Sequence, residues 1–80
     1  MKILEIRPVY KNDIAVKRNP EVVPKSYFNA IFLYNEKTYT ATIRISTNHV
    51  AECMNEKNQP VKLREETEEK LLSAIRKYNN

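Results

Sequence analysis

The sequence predicts an α+β fold: an antiparallel sheet of four or five strands, mostly meander-connected, with one C-terminal helix packed on one face. Three observations predict it. The stretch from Tyr27 to Ser46 reads as two apolar-rich runs joined at Asn35-Glu36, a β-hairpin holding most of the apolar side chains. Residues 65–78 place Thr67, Leu71, Ala74, Ile75 and Tyr78 on one helical face, with Leu72 at its margin. Shorter runs before and after the hairpin supply the remaining strands.

Residues 3–10 read as a first strand, with Leu4 and Ile6 on one face and Glu5 and Arg7 on the other. Pro8 has no N–H to donate, so this strand lies at an edge or ends there. Asn12-Asp13 turns the chain, and Ile14-Ala15-Val16 reads as a short second strand. Residues 18–26 contain two prolines and read as a loop, with Val22 and Val23 packing back onto the body.

The hairpin register depends on its turn. A two-residue loop at Asn35-Glu36 pairs Phe32 with Tyr39 and Phe28 with Ile43. The inner face is then Phe28, Ala30, Phe32, Tyr39, Ala41, Ile43 and Ile45. A three-residue loop slips the register by one and turns Tyr27, Ile31 and Leu33 inward instead. Glu36 stands where the two-residue turn favours glycine. The two-residue loop is preferred because it buries both phenylalanines.

His49 to Met54 reads as a third strand of this meander. A polar loop, 55–59, leads to a short strand at Val61-Lys62-Leu63, so Met54 and Val61 flank a second hairpin. The helix at 65–78 starts with four glutamates and ends with Arg76 and Lys77, both favourable to its dipole. Asn79-Asn80 is its frayed end.

At 80 residues the chain is expected to be one small domain, 1–80. Such a domain buries only about 60% of its unfolded surface, so extra support is common. Cys53 is the only cysteine, which leaves self-association as the usual remaining support. A lone cysteine fits a reducing compartment. Glu5 falls too early for a secretory leader, and no apolar run approaches a membrane span. The expected location is the cytoplasm.

There is no glycine. That excludes the P-loop and the dinucleotide fingerprint, which need bare backbone beside phosphate. Turns fall instead to asparagine, at Asn12, Asn19, Asn35, Asn48, Asn55 and Asn58.

His49 and Cys53 are the only soft metal ligands, and on a regular strand they stand roughly 13 Å apart. That is too far to share an ion or to form a nucleophile pair. Glu65 and Glu69 share a helix face, but the dipole accounts for first-turn glutamates. No Ser-His-Asp arrangement or HExxH motif occurs. The sequence therefore predicts no enzyme, no cofactor, no metal and no small-molecule substrate.

What remains is surface. In the preferred register the outer hairpin face carries Tyr27, Ile31, Leu33, Thr40 and Thr42, and one helix cannot cover both sides of a sheet. An apolar strip there predicts an interface with a protein partner or a second copy of the chain. The competing expectation is coverage by the Pro-containing loop. The alternative function is nucleic-acid binding. The net charge is +4, and Lys2, Arg7, Lys11, Lys17, Arg18 and Arg44 would contact phosphate beside exposed tyrosines such as Tyr27 and Tyr34. Strands followed by a helix resemble the last part of a double-stranded-RNA-binding domain. That family's first helix has no counterpart here, and four glutamates replace its basic helix start, so its function is not carried over.

Overall fold

The computed structural model describes residues 1–78; Asn79 and Asn80, expected as a frayed end, lie outside them. Four strands form one antiparallel sheet in chain order: β1 (Lys2–Pro8), β2 (Tyr27–Tyr34), β3 (Lys37–Arg44) and β4 (His49–Met54). A short helix α1 (Ile14–Arg18) and a 3-10 turn (Pro24–Ser26) lie between β1 and β2, and α2 (Glu65–Tyr78) follows β4. This is the predicted α+β class.

The central hairpin takes the two-residue turn. Phe32 pairs with Tyr39 and Phe28 with Ile43. Asn35 and Glu36 both have positive φ, 52° and 65°, the pair of left-handed residues a type I′ turn requires. Burial of the two phenylalanine-bearing positions outweighs the strain of a left-handed glutamate. Asn48 and Asn58 take the same backbone region. At the loop 55–59, Asn55 Oδ1 accepts bonds from the N–H groups of Lys57 and Gln59. Asparagine thus does most of the turning glycine would otherwise do.

The core lies between the inner sheet face and α2. Ile3, Ala30, Phe32, Ala41, Ile43, Cys53, Leu71 and Ile75 are buried together, with Phe28, Tyr39 and Leu72 packed against them. Phe32 and Tyr39 stack with ring centroids 5.5 Å apart.

Several local expectations are corrected. β1 carries a bulge between Ile3 and Glu5, so Ile3 turns inward beside Ile6 and Leu4 is 44% exposed. Ile45, expected on the inner face, lies just past β3 and is exposed. Tyr78 is exposed at the end of α2 rather than in the core. Ile14-Ala15-Val16 is helical, not a strand: the Asp13 carbonyl accepts from the N–H of Val16 and Lys17, and Ala15 is buried. Tertiary burial of one small side chain overrides the β-branched propensity of its neighbours. The expected strand 61–63 shrinks to a single bridge, Met54 with Pro60, since proline cannot extend the ladder. Val22 packs inward as expected, whereas Val23 is exposed.

Candidate interaction surface

The outer sheet face is divided in two. One half is covered by residues 9–22, and the device that holds this segment down is Asp13. Its Oδ2 accepts from the Tyr10 N–H at 2.9 Å, from Asn29 Nδ2 at 3.0 Å and from Arg7 Nη1 at 3.3 Å. Asn29 Oδ1 in turn accepts from Thr42 Oγ1 at 2.8 Å. Asn29 and Thr42 face each other across β2 and β3, and both are buried. A buried amide and hydroxyl need partners, and this chain of bonds supplies them. Val9, Ala15 and Val22 are buried in the covering segment. Arg18 ties its far end down, donating to the Asn58 carbonyl at 2.7 Å and lying 3.5 Å from Glu52 Oε1.

The other half is bare. Leu33 is 36% exposed and pairs with Lys2 on β1 and Thr38 on β3. Ile31 and Thr40 are half-buried opposite each other. Leu4, the unpaired residue of the β1 bulge between Ile3 and Glu5, is exposed as well. Of the five side chains expected at the surface, Ile31, Leu33 and Thr40 stand together. Tyr27 is half-buried at the distant end of β2. Thr42 is sealed beneath the covering segment and presents nothing to a partner. Leu4 was missed because the bulge is invisible in a five-residue alternation. The coverage was partly legible, because Asn29 opposite Thr42 is a polar pair in the middle of two central strands.

The six basic residues expected to meet phosphate do not form one site. Arg7 is engaged by Asp13 and lies 5.6 Å over the Tyr10 ring. Arg18 is engaged by Glu52. Lys11 and Lys17 are exposed on the covering segment, Arg44 at the end of β3, and Lys2 at the opposite end of β1 from Arg7. Lys2 and Arg7 are therefore roughly 16 Å apart along the strand.

Among the described residues, no group of three His, Cys, Asp or Glu side chains is placed to hold a metal ion. A bulge between Thr42 and Ile43 breaks the β4 alternation on which the His49–Cys53 spacing rested. His49 Nδ1 lies 3.7 Å from Glu68 Oε1, a pair charged only when the imidazole is protonated. Cys53 is buried. Desolvation, reinforced by the Glu52 charge, pushes its thiol up to about 11, the opposite of what a nucleophile needs. Glu52 Oε2 is buried without a hydrogen-bond partner. No described helix is long and apolar enough to cross a membrane. No protein-family model matches the chain, and neither a curated protein nor a solved structure does.

Proposed function

We propose that this chain is a small, non-enzymatic cytoplasmic interaction module. It binds a protein partner, or a second copy of itself, through the bare half of the outer hairpin face. The observation that carries the reading is the division of that face. The fold supplies a segment to bury Asn29 and Thr42, yet leaves Leu33 exposed and Ile31 half-buried on the same outer face, with Leu4 exposed on the neighbouring strand. Burying a leucine fully is worth about 1.5–3 kcal/mol, so a partner covering this strip gains appreciable free energy.

The test is the double variant I31T/L33S. Its fold should survive, because Leu33 is exposed and Ile31 half-buried, and a change at an exposed site usually stays within about 0.5 kcal/mol. Its association should be lost, read as light scattering against concentration for self-binding and as affinity capture for a distinct partner. Unchanged association in the variant, or no association of either kind by the parent protein, would refute the reading.

Nucleic-acid binding is the second reading, favoured by Lys11, Lys17 and Arg44, which have no carboxylate within ion-pair distance among the described residues. Fluorescence anisotropy of random oligonucleotides across a salt series decides it. Phosphate contacts make affinity fall steeply with salt, and absence of binding at low salt removes this reading.

A further inference from the structure

The open sheet has two edges, and they differ. β4 is closed at its end, where Met54 bridges to Pro60 and the Val61 N–H donates to the Cys53 carbonyl at 2.8 Å. β1 pairs only with β2, and no described backbone bond reaches its outer side. Unpaired N–H and C=O groups in a row are a template for another strand.

We propose that a second copy of this chain adds to the β1 edge, antiparallel and two-fold related, with Ile6 facing Ile6 and Glu5 facing Arg7 in both directions. The proposal rests on the reading above in taking a second copy of the chain as a partner, and it goes beyond that reading by adding a contact at the sheet edge that adjoins the strip.

The register follows from symmetry and charge. In an antiparallel pair, opposed side chains lie on the same face of the sheet. A strand meeting itself about an axis normal to the sheet must therefore centre on one residue, which faces its own copy. Centring on Glu5 or Arg7 sets like charges opposite each other, which is destabilising. Centring on Leu4 puts the bulge at the axis and leaves Lys2 against Ile6 and Glu5 against Ile3. Centring on Ile6 uses the regular stretch beyond the bulge. It makes two Glu5–Arg7 pairs, one on each side of the axis. Ile6 packs on the core face, so the new pair extends the core across the seam. Arg7 keeps Asp13 at 3.3 Å, and a guanidinium with five donors holds a second carboxylate as well. The bulge and Pro8 limit the ladder to Leu4–Pro8. That places the contact at the small end of specific interfaces, with affinity on the order of micromolar.

The test is site-directed crosslinking of the full chain. In this register the two Ile6 Cα atoms stand about 4.5–5.5 Å apart, inside the disulfide window. Under mild oxidation, I6C should form a disulfide dimer at least about tenfold faster than L4C or E5C, whose self-distances span several residues. Cys53 stays out of the reaction because it is buried. Because I6C touches the core, E5K gives an independent reading at an exposed site. It should raise the dimer dissociation constant at least about tenfold in sedimentation equilibrium, with the thermal melt unchanged. A strict monomer up to about 1 mM overturns the proposal, since even a weak specific contact shows there, and leaves a distinct partner for the strip. A dimer indifferent to E5K, or one that crosslinks as well through L4C as through I6C, also overturns it. Loss of that same dimer in I31T/L33S would then show the strip acting without the edge.

Discussion

Asp13 is the residue whose loss should change this molecule most for the fewest atoms removed. Asp13→Ala deletes the acceptor shared by Tyr10, Asn29 and Arg7. The Asn29 amide then keeps only its bond with Thr42, and its buried N–H group has no partner, which costs about 1–3 kcal/mol. The Arg7 pair is partly exposed, with side-chain accessibilities of 30% and 17%, and contributes roughly 0.2–1 kcal/mol after solvent screening. The expected total is about 1–4 kcal/mol. For a domain of this size that lowers the melting temperature by roughly 4–32 °C, at about 4–8 °C per kcal/mol. Thermal denaturation by circular dichroism reads the loss, and hydrogen exchange locates it. The amides of Val16, Lys17 and Asn19, bonded within the covering segment, should lose protection before those of β2 and β3. In a double-mutant cycle with Asn29→Ala, the two losses should fall short of additivity by about 1 kcal/mol or more, because the partners touch. A loss below about 0.5 kcal/mol, or full additivity of the pair, would refute the claim that Asp13 holds the covering segment to the sheet.

Three further outcomes follow from the same geometry. Glu36→Gly relieves a left-handed residue, φ 65°, worth roughly 1–2 kcal/mol, against about 0.5–1 kcal/mol of added unfolded-chain entropy; chemical denaturation should show a net gain near 0.5–1 kcal/mol. Phe32→Ala, at a site with no exposed surface under the Tyr39 ring, should cost about 3–5 kcal/mol, measured as the urea midpoint at constant slope. Cys53 makes stability fall with alkali: its folded thiol ionises near 11 against an ordinary 9.0, so the unfolded chain releases its proton first. The contribution is intact below pH 9 and lost as pH rises from 9 to 11, at most about 3 kcal/mol over two pH units. Cys53→Ala should flatten that part of the pH–stability curve, and an equally steep decline in the variant would remove the thiol as its cause.

The elements legible in the sequence are those where local pattern and tertiary burial agree. The hairpin register followed from burying Phe28 and Phe32 together, even against the wrong residue at Glu36. The helix at Glu65–Tyr78 and the strand at His49–Met54 followed from apolar spacing and turn signals. The failures have one physical type. An apolar alternation is too short to reveal an inserted residue, so the β1 bulge hid which of Ile3 and Leu4 turns inward. Likewise, Ile14–Val16 has strand-like residues, but its conformation is decided elsewhere. Asp13 bonds to Asn29 sixteen positions away, and Arg18 to Asn58 forty positions away. No window of local sequence contains those partners.

The candidate surface was legible to the same degree and for the same reason. Facing direction follows from register, so Ile31, Leu33 and Thr40 could be placed on the outer face from the hairpin alone. Whether an outer-face residue meets water depends on what crosses above it, and that is set by the long-range bonds of residues 9–22. Thr42 and Leu33 lie on the same face of adjacent strands, yet one is fully buried and the other 36% exposed. The covering segment stops partway across the sheet, where its polar anchors stop. The bare strip therefore begins where Asn29 and Thr42 give way to Ile31, Leu33 and Thr40. Here the Asn29–Thr42 pair and Met54 are sealed while Leu4 and Leu33 are left to the solvent, and the function proposed above takes that division as its interface.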